Sequence, residues 1–302
     1  MTNPGVAGNR LPTFTNDGLT FDVIDEGPLD GPVIIALHGF PARARSYRPM
    51  IQELATAGFR VLAPDQRGYS PRARPAGVRA YATGRLTADV IALADQAGLT
   101  KFHVMGHDWG ATVAWEVAGS HPDRVATVTA LSVPHPRAFL AAMARGQLLR
   151  SWYMIAFHIP WIPERFLHLL FTVNRLVARR SARRSGPIPA TDIAEFWREP
   201  GAATAALNWY RAMFYRSSRT AKIGVPTLYV WSSGDPFLGR RAAELTERYV
   251  EGPYRFEILE GVSHWIPHER PRQVADMVIS HIADTARWTA PSDRKQGRQC
   301  SI

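Results

Sequence analysis

Phe102-His103-Val104-Met105 runs directly into Gly106-His107-Asp108-Trp109-Gly110 and on into Ala111–Gly119. The apolar run reads as a buried strand, the last segment as a helix, and the pentapeptide between them as a tight elbow. Glycines on both sides of Asp108 suit a strand-to-helix turn that lifts a nucleophile to its tip, because the chain approaches itself too closely there for a Cβ. The pentapeptide alone is a weak signal; its place between strand and helix gives it meaning. Upstream, Val33–Leu37 and Phe59–Ala63 read as short buried strands. They alternate with helical patterns at Ser46–Ala57, stopped by Gly58, and at Leu86–Ala97, stopped by Gly98. Downstream, Val125–Leu131 is a further strand. Before all of these, Pro12–Thr15 and Leu19–Asp25 flank Asn16-Asp17-Gly18, a hairpin turn sequence. Strands alternating with helices predict an α/β fold with a mostly parallel, doubly wound sheet.

The rhythm stops after that sixth strand. From Arg137 to Arg219 only helical patterns remain, broken by Pro160, Pro163, Pro187, Pro189 and Pro200. Strands resume at Pro226–Trp231 and Tyr254–Leu259, with helices around Gly239–Tyr249 and Pro271–Ala283. The expected organisation is a core of residues 1–136 and 220–287, a helical cap at 137–219 inserted after the sixth strand, and a polar tail at 288–302 expected to be disordered.

The 302 residues are 46% apolar, 21% charged and 10% aromatic, the makeup of a soluble globular protein rather than of a disordered, collagenous or coiled-coil chain. The one cysteine, Cys300, allows no intramolecular disulfide and fits a reducing, cytoplasmic compartment. Met1–Phe14 is interrupted by Pro4, Gly5, Gly8 and Pro12 where an export signal needs a continuous apolar run. Leu148–Val173 is broken by Arg150, Glu164 and Arg165, so no transmembrane segment is expected. A net charge of +10 would suit nucleic acid or an anionic membrane. Its distribution decides: residues 137–219 hold 13 arginines, no lysine and four acidic residues, which leaves 23 basic against 22 acidic residues elsewhere. The charge belongs to the cap, no nucleic-acid motif accompanies it, and nucleic acid is not an expected partner. Its densest run, Arg179-Arg180-Ser181-Ala182-Arg183-Arg184, reads as a solvated loop. The alternatives are weak membrane-surface contact and steering of acidic amphiphiles.

Two partners for Asp108 follow in order. Asp235, in Gly234-Asp235-Pro236, lies just past the Pro226–Trp231 strand, and His264, in Gly261-Val262-Ser263-His264-Trp265, lies just past Tyr254–Leu259. Taken singly, each could be a turn residue or a hydrogen-bonded loop residue. Jointly they converge outside the carboxyl ends of the strands, where sites form in open α/β sheets. A carboxylate is already an anion at neutral pH, so Asp108 can displace a leaving group at an sp³ carbon and become an alkyl ester. His264 would then take a proton from the water that attacks the ester, held and charge-stabilised by Asp235. The backbone N–H groups of Trp109 and Phe40 would form the oxyanion hole, Phe40 standing in His38-Gly39-Phe40-Pro41 after the Val33–Leu37 strand.

With Asp65-Gln66-Arg67-Gly68-Tyr69-Ser70, these motifs span nearly the whole chain. In them the sequence resembles the α/β-hydrolase superfamily, and within it the epoxide hydrolase and haloalkane dehalogenase branch. The resemblance makes the insertion a helical lid and Asp65–Ser70 a structural loop. Ser151-Trp152-Tyr153-Met154 and Asn208-Trp209-Tyr210-Arg211 resemble the lid motifs that supply two ring-opening tyrosines in epoxide hydrolases, which implies Tyr153 and Tyr210 as proton donors to the opening ring. The other reading of these tyrosines is aromatic packing. The aromatic-rich lid, with Trp152, Trp161, Phe157 and Phe166 among others, suggests an apolar roof, and the expected pocket is Phe40, Trp109, Trp152, Phe157 and Trp265. The implied activity is conversion of lipophilic epoxides to vicinal diols with water, by a monomer or homodimer, with no metal and no organic cofactor. A haloalkane dehalogenase using the same Asp108, with the Trp109 indole on the halide, is the alternative, followed by a non-catalytic ligand-binding homologue.

Overall fold

The structure is a computed structural model that describes residues 9–180, 190–215 and 220–288. Eight strands form one sheet: β1 (Thr13–Asn16), β2 (Leu19–Glu26), β3 (Val33–Leu37), β4 (Arg60–Pro64), β5 (Phe102–His107), β6 (Val125–Leu131), β7 (Thr227–Ser232) and β8 (Tyr254–Leu259), in the order β1-β2-β4-β3-β5-β6-β7-β8. The first two pairings are antiparallel and all the others parallel. Asp17 and Gly18 turn the β1–β2 hairpin with φ of 54° and 73°, as a tight primed turn requires.

Helices cover both faces, which is why the inner strands are apolar throughout rather than alternating. On β3, Ile35 and Leu37 pack toward α2 (Thr83–Gln96) and α3 (Trp109–Ser120), through residues such as Leu93, Val113 and Val117. Ile34 and Ala36 pack the other way, against α1 (Arg48–Thr56) and the final helix (Pro271–Trp288), through Met50, Leu54, Val274 and Val278.

Between β6 and β7 the described residues form helices only: α4 (Pro136–Ala142), α5 (Gln147–Arg150), α6 (Trp152–Ala156), α7 (Ile162–Arg180), α8 (Ala190–Phe196) and α9 (Ala202–Arg211), with short 3₁₀ turns. After β7 come α10 (Arg240–Leu245), α11 (Ile266–Glu269) and α12, the final helix. The first inserted helix packs on the core, since Ala138 and Ala142 of α4 meet Ala242 and Leu245 of α10.

The loop after β4 fastens the rest of the insertion. Buried Arg67 forks onto both oxygens of Asp89 at 2.8 Å, leaving its carbonyl to accept the Trp209 indole N–H at 2.8 Å. Tyr69 stacks on Phe196 at 4.9 Å, and Glu199 binds Arg43 and Arg74. Asp65–Ser70 therefore has the structural part expected of it.

Several element boundaries differ from the sequence reading. α1 starts at Arg48, because Ala44–Tyr47 takes a 3₁₀ turn ahead of Pro49; the Gly239–Tyr249 helix passes into 3₁₀ after Leu245; and α12 continues to Trp288. The tail at 289–302 and residues 181–184 of the arginine run lie outside the described residues. Among the described residues, no helix is long and apolar enough to cross a membrane.

Candidate active site

Asp108 sits between β5 and α3 at φ 53° and ψ −123°. For a residue with a Cβ this costs on the order of 1–3 kcal/mol and persists only where the surroundings enforce it. Here they do. A Cβ on Gly106 would run into the Gly110 carbonyl, one on Gly110 into the Leu37 carbonyl, and one on Gly39 into the Asp108 side chain. Three bare backbones thus let the loop after β3 close onto the elbow. The closure brings the Phe40 N–H to Asp108 Oδ1 at 2.8 Å, and the Trp109 backbone N–H also favours the charged carboxylate.

Asp235 and His264 reach the same point from the ends of β7 and β8. Asp235 Oδ1 accepts the N–H groups of Phe237 at 2.8 Å and Leu238 at 3.0 Å, which leaves Oδ2 for His264 Nδ1 at 2.7 Å. The imidazole Nε2 lies 3.4 Å from Asp108 Oδ2. The backbone of His264 is pinned as well, its carbonyl accepting from Ser132 Oγ and His107 Nε2, each at 2.8 Å. Burial, with the charge of His264 second, lowers the pKa of His107 to about 4, so it is a neutral ring donating through Nε2.

Burial alone would lower the pKa of His264 and raise that of Asp108. Their mutual attraction outweighs it, and with Asp235 acting on the ring as well, His264 is raised and Asp108 lowered. In the resting site the imidazolium lies between two carboxylates.

Tyr210, buried on α9, meets Phe40 at 5.3 Å, Trp109 at 5.0 Å and Phe157 at 4.8 Å between ring centroids. Tyr153 on α6 packs on Phe157 at 5.6 Å and Tyr210 at 6.2 Å. Burial first and the Asp108 charge second raise both phenols, so both are intact O–H donors at neutral pH within the field of the carboxylate.

Asp108, Asp235, His264, Phe40, Trp109, Tyr153, Tyr210 and Phe157 thus form one cluster. Trp152 does not join it. The expectation that it lines the pocket is corrected by its 66% exposure, since its neighbour Tyr153 points inward and successive helical residues diverge by about 100°. Trp161 and Phe166 also face outward and are no part of a roof. Trp265 packs beside His264 at 5.2 Å and His107 at 5.9 Å, on the β8 side of the site.

A family model described as alpha/beta hydrolase fold matches residues 32–271. The chain belongs to this family. Within it the chain sits with the epoxide hydrolases. Epoxide hydrolase A of Mycobacterium tuberculosis is 34% identical over 310 residues, covering 88% of this chain and 95% of the relative. AB hydrolase superfamily protein YfhM of Bacillus subtilis is 35% identical over 284 residues, covering 91% and 98%. Among solved structures, Epoxide Hydrolase A from Mycobacterium thermoresistibile superposes with a TM-score of 0.76 at 31% identity, covering 90% of this chain and 97% of that one.

Two residues of this hydrolase, Phe237 and Ser132, escaped sequence reasoning. Phe237 lies 5.2 Å from His264 and 5.5 Å from Tyr153, joining acid loop to insertion. Its place two residues after Asp235 is the one signal that could have found it. Ser132 holds the His264 carbonyl across more than a hundred residues of sequence. Trp197, one of the lid aromatics expected in an apolar roof, meets Phe40 at 5.7 Å.

Proposed function

We propose that the chain is an epoxide hydrolase that converts lipophilic epoxides to vicinal diols through an ester on Asp108. In this reading residues 137–219 act as a cap over the cluster, and the enzyme works in the cytoplasm as a monomer or homodimer with water as the second substrate. The observation that carries it is the pair of phenols, Tyr153 and Tyr210, packed together with Phe157 and raised first by burial and then by the same carboxylate that Phe40 holds by its N–H.

Asp108 Oδ1 is tied to the Phe40 amide, so Oδ2, which faces His264 Nε2 at 3.4 Å, is the oxygen that attacks. It forms a C–O bond to one epoxide carbon as the carbon–oxygen bond of the ring breaks. The departing alkoxide takes a proton from Tyr153 or Tyr210. Esterification removes the negative charge of Asp108. Both phenols lose a repulsion that held their protons on, and they become better acids as the alkoxide forms.

The same loss acts on His264. One of the two carboxylates that hold its proton disappears and its pKa falls, so that proton passes through water to the tyrosinate left by ring opening, and the neutral ring can then take one from the attacking water. The hydroxide equivalent adds to the ester carbonyl, whose oxygen stays in the hole formed by Phe40 and Trp109. Collapse releases the diol and regenerates the carboxylate, while Asp235 orients and stabilises the imidazolium. No halide reading is kept beside this one, because Phe40 adds no side-chain N–H to the Trp109 indole.

A panel of aryl, alkyl and fatty-acid epoxides tests the proposal. Diol formation from at least one class is expected, and no diol from any of them sinks the reading. Tight binding unaffected by Asp108→Asn, with no turnover, would assign the pocket to a receptor.

A further inference from the structure

α7 has two apolar sides. Leu167 is buried, and Phe171 packs on Trp197 at 5.0 Å. Ile162, Phe166, Leu169, Val173 and Leu176 recur at i+3 and i+4 spacing along another face, each between 45% and 64% exposed. Ahead of the stripe stands Trp161, 76% exposed and held at φ 63°, a backbone state that a side chain adopts only at a cost. An exposed apolar stripe of this length marks an interaction surface.

Charge identifies the occupant. All four acidic residues of 137–219 are engaged, three of them against the core: Asp192 and Glu195 on Arg45, Glu199 on Arg43 and Arg74, and Glu164 on Arg211 of the cap itself. None is left to oppose the exposed Arg165, which borders the stripe. A second copy would set two surfaces of the same positive sign face to face. The segments outside the described residues carry few apolar side chains to complement such a stripe. An anionic bilayer satisfies both features, taking the apolar side chains into its interface and the arginines onto its phosphates.

We propose that the outer face of α7, with Trp161, docks on anionic phospholipid surfaces. This surface involves neither Asp108 nor the tyrosines, so the proposal stands or falls independently of the chemistry. The test is flotation of the full chain with vesicles of phosphatidylcholine alone or mixed with phosphatidylglycerol, at low and high salt. The chain is expected to float with the mixed vesicles, not with phosphatidylcholine alone, and to be released by salt. Trp161→Ser/Phe166→Ser/Leu169→Ser should weaken that partition about tenfold or more, with Tm and epoxide turnover unchanged. Absence of flotation with mixed vesicles at low salt, or equal flotation of the triple variant, overturns the proposal. So does a dimer in light scattering that the triple variant dissolves, which would assign the face to a second copy.

Discussion

The residues that surround a bound epoxide in this account are held in two different ways. Asp108, Asp235 and His264 stand at the ends of β5, β7 and β8, each fixed by directed hydrogen bonds, from backbone N–H groups onto the two carboxylates and from Ser132 and His107 onto the His264 carbonyl. Tyr153 and Tyr210 stand on inserted helices and pack among the rings of Phe40, Trp109, Phe157 and Phe237, with a side-chain hydrogen bond between Tyr210 and Trp109. Strand ends and backbone donors set a position to a fraction of an ångström, whereas ring packing sets a shape. The first suits bond-making by one oxygen. The second suits donors that must serve an alkoxide whose position varies with substrate.

Removal of the charge at the strand ends should do the most damage. Asp108→Asn is expected to lower kcat by about 10⁴-fold or more, read as diol formed per enzyme; turnover within tenfold of the parent would detach the chemistry from the elbow. Tyr153→Phe with Tyr210→Phe should follow, with alkylation about 10²–10³-fold slower in single-turnover experiments. Each single change should be milder, because one phenol can replace the other. Singles as severe as the double would mean that each tyrosine has a fixed task, against the comparison drawn above.

The imidazolium gives a pH signature. His264 is raised from 6.5 to about 10, so the stability from its two ion pairs is complete below pH 6.5 and fades as pH rises toward 10. Tm of the parent should therefore fall relative to that of His264→Gln over this window; parallel curves would remove the ion-pair account. The smallest effect belongs to the clamp between insertion and core. Glu199→Gln weakens partly exposed pairs with Arg43 and Arg74, worth about 1 kcal/mol, and should lower Tm by about 2–4 °C with little change in kcat.

The two regions also differ in how far the sequence disclosed them. β3 and β6 begin and end at the residues the apolar runs predict, because burial on both faces makes such runs continuous, and β8, a half-buried edge strand with Arg255 and Glu257 between its apolar residues, also keeps its predicted ends. Asp108, Asp235 and His264 could be placed because a strand end is a fixed point in an open sheet. The insertion offered no such landmark. Resemblance located Tyr153 and Tyr210, yet it drew Trp152 into the pocket when the helix turns that side chain outward. Ser132 touches a site residue far away in sequence, so local pattern carried no trace of its role. The exposed stripe on α7 was likewise invisible, since apolar residues on both sides of a helix read as core until the packing is known.

The covalent ester is the claim on which the rest depends, and intact mass reads it directly. His264→Gln should accept an epoxide at Asp108 and fail to hydrolyse it. The protein should then gain the mass of the whole epoxide, with the adduct on the peptide that carries Gly106–Gly110. Diol production at the parental rate with no adduct, or an adduct confined to another residue, would contradict the account.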